Sequence, residues 1–267
     1  RKWSRPQLVP IYILASLIVI PWNLSDISLV NIIRFFSNDI LPHPIRVAQS
    51  IDVNVLVDLG IWTKTLFLDQ ALPGIIATII LTQIALVGSG LLTLIMFPLI
   101  SPKFFGTFGR CIGHVILVIT RSTPEYILAL ICLLLWGPSM LPAIVALSLH
   151  NGAIIGHLIG RFTENMSLRP DRSKGINLYT YDILPRIYRQ FLAFLFYRWE
   201  VIMRETAILG ILGIATLGFY IDSAFADLRY DKAMVLIMLT AAMNLGIDVL
   251  SRTIRSRLRL RTRINVV

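Results

Sequence analysis

Long apolar runs separated by short polar stretches dominate the chain, and they predict an all-α protein made of membrane-spanning helices. A helix that crosses a bilayer needs about 20 consecutive, mostly apolar residues. Residues 25–70 lack such a run and contain Pro42 and Pro44. We therefore expect an irregular segment that lies along the outer face of the membrane. Elsewhere the pattern predicts six spans, over residues 7–24, 71–98, 109–136, 139–160, 190–219 and 232–251.

The composition agrees with a membrane protein. The 267 residues are 56% hydrophobic and their mean hydropathy is +0.74, which is more apolar than a soluble domain of this size. Only 15% of the residues are charged, so the net charge of +10 does not indicate a soluble nucleic-acid-binding protein. Cys111 and Cys132 lie in apolar stretches and indicate neither a disulfide framework nor a zinc site. The chain begins Arg-Lys-Trp without an initiator Met, so we expect it to be processed, trimmed or part of a longer polypeptide.

The distribution of basic residues predicts the orientation. The N-terminus, the loops 100–110 and 161–189 and the C-terminal tail hold 17 of the 25 Lys and Arg residues. Basic residues accumulate on the cytoplasmic side of a membrane protein, so we expect both termini in the cytoplasm. We divide the chain into a first span with an extracytoplasmic segment (1–70), a five-helix core (71–260) and a basic tail (252–267). We expect this tail to be a topology anchor that contacts anionic membrane lipid.

Four formal charges interrupt the apolar stretch 197–218: Arg198, Glu200, Arg204 and Glu205. An ionisable group at bilayer depth costs about 2.5–3.5 kcal/mol on insertion scales, so such groups face a protein interior or a water-filled path. Two interpretations follow. The charges line a transport path in which arginines meet an anion, or they form ion pairs that lock the helices together.

The spacing of these charges favours specific pairs. Glu200 and Arg204 are four residues apart on a helix and can pair. Arg198 and Glu205, seven apart, also share a face, and Tyr197 lies one turn before Glu200. A second charged pair, Arg121 and Glu125, interrupts the third predicted span on either side of Pro124, which would kink that helix.

Glycines predict close helix contacts and one break. Gly152, Gly156 and Gly160 recur every four residues, a spacing that lets helices approach closely in lipid. Gly210 and Gly213 follow the charged residues, where we expect the fifth span to bend or break; a broken helix at this depth is tolerated where it lines a cavity.

Several chemistries are not indicated. His150 and His157 are seven residues apart with no third ligand near them in the sequence, so no metal site is expected. The chain contains no nucleotide-binding loop and no nucleophile–base or metalloprotease motif. We therefore expect no catalytic residue and no cofactor in this chain, and any ATP-Mg must bind to another subunit.

Three segments resemble the permease (membrane) subunits of phosphonate-type, binding-protein-dependent ABC importers. The sequence YRWEVIMRETAILGILGIATLG (197–218) is similar to their Tyr-Arg-aromatic-Glu and Arg-x-x-Thr-x-x-Gly pattern. RSTPEYILAL (121–130) resembles their Arg-x-x-Pro-Glu stretch, and LHNGAIIGHL (149–158) their fourth span. The loop 161–189, ending in Leu184-Pro185, lies where these permeases carry the loop that docks on the ATPase. The resemblance covers about residues 70–260.

This resemblance implies a type I ABC importer permease fold in the bacterial cytoplasmic (inner) membrane. It implies two permease subunits or halves, identical or related, and an extracytoplasmic substrate-binding protein that delivers phosphonate, phosphite, phosphate or a related compound. Cytoplasmic ATPase subunits would drive transport, and no nucleic acid is involved. The main alternative is an ion-coupled secondary transporter that uses Glu125, Glu200 and Glu205 as proton or sodium sites. The chain shows no inverted repeat, which weighs against it.

The resemblance also assigns roles to residues. The Glu-Ala-Ala of the family's docking loop is replaced here by Met166-Ser167-Leu168, so we expect a degenerate coupling contact within 166–182. The residues implied for the ATPase contact are Arg169, Asp171, Arg172, Lys174, Gly175, Tyr179, Asp182 and Pro185. The residues implied for the translocation path or its gate are Arg121, Glu125, His150, Tyr197, Arg198, Glu200, Arg204, Glu205, Gly210 and Gly213.

Overall fold

Helices form nearly all of the computed structural model, which describes residues 5–24, 28–48, 52–168 and 175–258. No strand occurs within these ranges. The chain divides into two compact units, residues 1–59 and 60–267.

The first unit is helical through most of its described length. The predicted first span is a single helix, whereas the expectation of an irregular segment over 25–70 is wrong for its described residues, 28–48 and 52–70. Apolar residues continue the helical pattern there, and Pro42 and Pro44 lie at the start of a helix, where proline costs no hydrogen bond. The unit contains α1 (Arg5–Leu24), α2 (Leu29–Arg34), a π-helical turn (Phe35–Asp39), α3 (His43–Val47) and the beginning of α4 (Val53–Leu66).

The second unit contains the remaining helices. A π-helical turn (Phe67–Ala71) joins the end of α4 to the next helix. The others are α5 (Leu72–Ile100), α6 (Thr107–Ser122), α7 (Glu125–Trp136), α8 (Met140–Glu164), α9 (Leu184–Leu209), α10 (Leu217–Ala226) and α11 (Tyr230–Arg257).

Several of these helices are long and apolar enough to cross a membrane. Within the described residues, the stretches Val53–Ile100, Met140–Glu164 and Tyr230–Arg257 meet this criterion, and the pair α6 and α7 counts as a fourth if it forms one span. This count is lower than the six predicted spans. The helix α9 carries four arginines and two glutamates, which lower its hydropathy.

The third predicted span, 109–136, is two helices rather than one. The axes of α6 and α7 meet at 95° across a short break at Thr123 and Pro124. Thr123 has an extended backbone, because the ring of a following proline disfavours the helical conformation. The kink predicted at Pro124 is therefore confirmed, and it is a full break.

The fifth predicted span, 190–219, begins earlier and ends earlier than expected. The helix α9 starts at Leu184, and the π-helical turn Leu178–Ile183 runs directly into it. At its other end α9 stops at Leu209, and a 3-10 turn (Gly210–Leu212) leads to α10. The break predicted here is confirmed.

The geometry of this break depends on its glycines. Gly213 adopts a φ of +83°, in the left-handed region that favours glycine. A Cβ atom added to Gly210 would lie only 2.6 Å from the carbonyl carbon of Gly218. Glycine at these positions lets α10 fold back against the end of α9.

The helices α5 and α8 run parallel and in close contact. Gly152, Gly156 and Gly160 face α5, and a Cβ atom added to Gly152 would lie 2.8 Å from the Cβ atom of Leu92. A Cβ atom on Gly160 would overlap the side chain of Ile100. The close packing predicted from this spacing is confirmed.

Candidate functional site

A closed ring of hydrogen bonds and one ion pair joins α8 to α9. Nε of Arg198 donates a 2.7 Å hydrogen bond to Oδ1 of Asn151, and Nη2 of Arg198 lies 3.4 Å from Oε1 of Glu205. Nδ2 of Asn151 donates a 2.8 Å hydrogen bond to the other carboxylate oxygen of Glu205. Each of the three side chains therefore touches the other two.

This ring is largely shielded from solvent. Asn151 is fully buried, and the side chains of Arg198 and Glu205 are 16% and 11% exposed. The seven-residue spacing of Arg198 and Glu205 places them on one face of α9, two turns apart. Desolvating such a pair costs several kcal/mol per ion unless further hydrogen bonds compensate. The amide of Asn151 supplies those bonds to both charges.

A second polar group adjoins the ring at the break between α6 and α7. Nδ1 of His150 lies 3.0 Å from the backbone carbonyl oxygen of Thr123, and Nε2 lies 3.9 Å from Oε2 of Glu125. Because a carbonyl oxygen only accepts hydrogen bonds, Nδ1 carries the proton. One potential ligand atom from each of Glu125, His150 and Glu205 lies within 4.8 Å of the others. These residues come from α7, α8 and α9.

The remaining charges of α9 lie on a different face. Glu200 and Arg204 form a separate ion pair at 2.5 Å, and the side chain of Arg204 is 60% exposed. Tyr197 is 55% exposed, and the guanidinium carbon of Arg255 lies 5.7 Å from the centre of its ring. The structure thus separates the four charges into one interior pair and one pair on the surface of this chain.

Three other predicted path residues lie outside both groups. Arg121 is in the last turn of α6 and makes no ion pair with a described residue. Gly210 and Gly213 form the turn between α9 and α10. The structure does not bring these three into the ring.

Asn151 is the site residue that sequence reasoning missed. It carries no charge, so a search for formal charges passes over it. The available signal was a polar amide next to His150 in a helix apolar enough to span a membrane, since an intramembrane polar group needs a partner. Two uncharged threonines were missed for the same reason. Oγ1 of Thr82 donates a 3.2 Å hydrogen bond to Oγ1 of Thr206, and this bond links α5 to α9.

The segment before α9 is tied to the helices by Tyr179. Its hydroxyl donates a 3.1 Å hydrogen bond to the carbonyl oxygen of Leu94, and its ring stacks on Phe97 with centroids 5.4 Å apart. This burial raises the pKa of the Tyr179 phenol. By contrast, Ile176 and Tyr181 are 79% and 81% exposed. The segment thus has one anchored side and one open side.

Polar contacts also fasten this segment to its neighbours. Arg186 lies 3.5 Å from Asp182 and donates a 2.8 Å hydrogen bond to the carbonyl oxygen of Ser167. Lys103 donates to the carbonyl oxygen of Met166. Burial, and then the charge of Arg186, hold the pKa of the Lys103 ammonium below its ordinary value.

The residues predicted for the ATPase contact are only partly described. Pro185 lies in the first turn of α9, and Gly175, with a φ of +64°, begins the described part of this segment. Arg169, Asp171, Arg172 and Lys174 lie outside the described residues.

The helical arrangement matches that of an ABC transporter permease. The chain superimposes on a solved structure described as an amino acid ABC transporter with histidines, with a TM-score of 0.60 and 19% sequence identity. The match covers 78% of this chain and 100% of the other. The predicted permease fold is therefore confirmed. No family model matches the sequence.

Sequence relatives come from one group of transport proteins. The chain is 26% identical, over 160 residues, to the phosphite transport system permease protein PtxC of Stutzerimonas stutzeri, covering 58% of this chain and 56% of that one. It is 23% identical over 152 residues to the phosphate-import permease protein PhnE of Mycolicibacterium smegmatis, covering 55% and 29%. It is 24% identical over 164 residues to HtxE of Stutzerimonas stutzeri, named as a phosphite transport system permease protein, covering 59% and 62%.

These findings confirm the resemblance to phosphonate-type permeases that the motifs indicated. The three relatives are transport components rather than enzymes. The matched stretch spans less than two thirds of the length of each. Together with the apolar helices, they indicate a multi-pass membrane protein.

Proposed function

We propose that this chain is a permease subunit of an ATP-driven ABC importer for phosphonate or a related phosphorus oxyanion, in the bacterial cytoplasmic membrane. The observation that carries the proposal is an ionic cluster, buried between α7, α8 and α9, within a permease fold. Relatives named for phosphite transport and phosphate import support the proposed substrate class.

The two charged groups of α9 would have different roles. The side chains of Asn151, Arg198 and Glu205 bond to one another, so this ring would hold α8 and α9 together near the path. Arg204 has a side chain that is 60% exposed, and a guanidinium is well suited to an oxyanion. We therefore assign substrate contact to the face of Tyr197, Glu200 and Arg204, and gate stability to the interior ring.

The proposed partners are cytoplasmic ATPase subunits, which bind ATP-Mg, an extracytoplasmic binding protein and a second permease subunit or half. The ATPase would contact the open side of the segment before α9, where Ile176 and Tyr181 are exposed. Tyr179 would transmit force from that contact, because it is anchored to α5 through Leu94 and Phe97.

The test is uptake of phosphite, phosphate and a simple phosphonate by vesicles that contain the chain with its ATPase and binding protein. We expect uptake that depends on ATP hydrolysis by the ATPase subunits and that falls when Arg204 is replaced by Met. Arg34→Met is a matched control, because Arg34 is also an exposed arginine paired with a carboxylate, at 3.9 Å from Asp39.

Uptake that continues without ATP hydrolysis and stops when the ion gradient is collapsed would overturn the proposal. That result would favour ion-coupled transport through Glu125, Glu200 and Glu205. The fold and relatives do not favour this alternative.

A further inference from the structure

We propose that Glu125, His150 and Glu205 form a binding site for a divalent transition-metal ion such as Zn²⁺. Their ligand atoms lie within 4.8 Å of one another, although the three residues are far apart in sequence and belong to three helices. Imidazole and carboxylate are common zinc ligands. The inference rests on this geometry alone and does not depend on the proposed transport function.

The orientation of His150 is the first observation that points to a cation. Its Nδ1–H is fixed by the carbonyl oxygen of Thr123, 3.0 Å away. Nε2 makes no hydrogen bond to a described residue. His150 is only 9% exposed, and Nε2 lies 3.9 Å from Oε2 of Glu125. At 3.9 Å these two atoms are too far apart to hydrogen-bond to each other, so both remain available as ligands of one ion.

The hydrogen bonds around the site are those that metal ligands require. A metal-bound histidine commonly donates its other N–H to a backbone carbonyl, and ligating carboxylates are themselves hydrogen-bonded. Thr123 meets the first condition. Asn151 and Arg198 meet the second, because both contact the carboxylate of Glu205.

Charge and distance also agree with an ion. The cluster contains two carboxylates and one guanidinium, so its acidic groups outnumber the basic group of Arg198, and a buried charge without a partner is costly. Zinc ligands at about 2.1 Å in a tetrahedral site are about 3.4 Å apart. The observed 3.9 Å between His150 and Glu125 needs only a small side-chain movement to reach that value.

The test measures Co²⁺ binding by the full chain, purified in detergent without a polyhistidine tag. Co²⁺ is a spectroscopic probe for zinc sites, and its visible absorption reports coordination by protein ligands. We expect one Co²⁺ per chain, displaced by Zn²⁺. We expect His150→Gln and Glu125→Gln each to weaken binding by at least about 10- to 100-fold, because losing even an outer-shell partner of a ligand costs that much.

A control variant tests whether other histidines of the chain bind the metal. The rings of His114 and His157 lie 5.5 Å apart and could bind metal adventitiously. The double variant His114→Gln/His157→Gln should retain Co²⁺ binding. Thermal unfolding without metal checks that each variant is folded, and Glu125→Gln decides the test if His150→Gln does not fold.

Two results would overturn the proposal. One is the absence of Co²⁺ and Zn²⁺ binding at millimolar metal. The other is binding that survives both His150→Gln and Glu125→Gln, which would place the metal elsewhere in the chain.

Discussion

Asn151 and Arg198 join α8 to α9 through a 2.7 Å hydrogen bond, and the same amide of Asn151 also binds the carboxylate that pairs with Arg198. The amide oxygen faces the guanidinium and the amide nitrogen faces Glu205. A single neutral side chain thus satisfies a buried cation and a buried anion at once. Neither Asp nor Leu could replace it, since Asp would repel Glu205 and Leu would leave both charges short of a partner.

Replacing Asn151 by Leu should therefore destabilise the protein. We expect a loss of about 1–3 kcal/mol in the free energy of unfolding, near the upper end because the groups left without a partner are charged. The measurement is denaturant or thermal unfolding of the purified chain in detergent micelles.

Asn244 provides the matched control for this variant. It is a half-buried asparagine in α11 whose Oδ1 makes no hydrogen bond to a described residue. Asn244→Leu should leave stability unchanged or raise it slightly, because no partner loses its bond. Equal losses for the two variants would contradict the role given to Asn151.

The two ion pairs of α9 should differ strongly in their contribution to stability. Breaking the buried pair with Arg198→Met should cost about 3–5 kcal/mol, because the carboxylate of Glu205 is left buried without its cation. Adding Glu205→Gln should recover part of this loss, which a double-mutant cycle measures.

The exposed pair of Glu200 and Arg204 is compared with the buried pair of Arg198 and Glu205. Arg204→Met should change the free energy of unfolding by about 0–1 kcal/mol, since its partner Glu200 keeps access to solvent. The side chain of Arg204 is 60% exposed, against 16% for Arg198. A cost for Arg204→Met equal to that for Arg198→Met would show that burial does not separate the two pairs.

Sequence patterns predicted most of the helices and the breaks between them. Apolar runs located α5, α8 and α11 closely, because helices in a bilayer need long apolar stretches. Pro124 and the glycines after Leu209 located the two breaks, because these residues act on the backbone locally. The pairing of Arg198 with Glu205 also followed from helical spacing alone.

Contacts between helices could not be read from the sequence in the same way. Asn151 and Glu205 are 54 residues apart, and their contact depends on how α8 packs on α9. Likewise, Glu125 reaches His150 only because α7 turns through 95° after α6. Periodicity within one helix gives the face of each residue but not its partner on another helix.

Substitutions of two tyrosines near the start of α9 should distinguish the residue that anchors this segment to α5 from the residue proposed to contact the ATPase. Tyr179 is packed against Phe97 and bonded to Leu94, whereas Tyr181 is 81% exposed. Tyr179→Phe should cost about 0.5–1.5 kcal/mol of stability through its lost hydrogen bond. Tyr181→Ala should leave stability unchanged and, under the proposed function, weaken co-purification with the ATPase. An unstable Tyr181→Ala variant with normal ATPase binding would reverse these assignments.

Gly218, in the first turn of α10, packs directly against the backbone of α9. A Cβ atom on Gly218 would overlap the carbonyl oxygen of Ala207 and lie 2.8 Å from its carbonyl carbon. Because these are backbone atoms, no side-chain rotation relieves the clash, and α10 must move away from α9. We expect Gly218→Ala to cost at least about 1–3 kcal/mol, the usual range for overpacking, and to lower the midpoint of thermal unfolding.

Gly246→Ala tests the same chemical change where space is available. Nothing lies within 4 Å of a Cβ atom at that position in α11. Alanine also favours a helix over glycine by about 1 kcal/mol in water, so the unfolding midpoint should stay the same or rise. If Gly218→Ala also left the midpoint unchanged, the close approach of α10 to the end of α9 would be wrong.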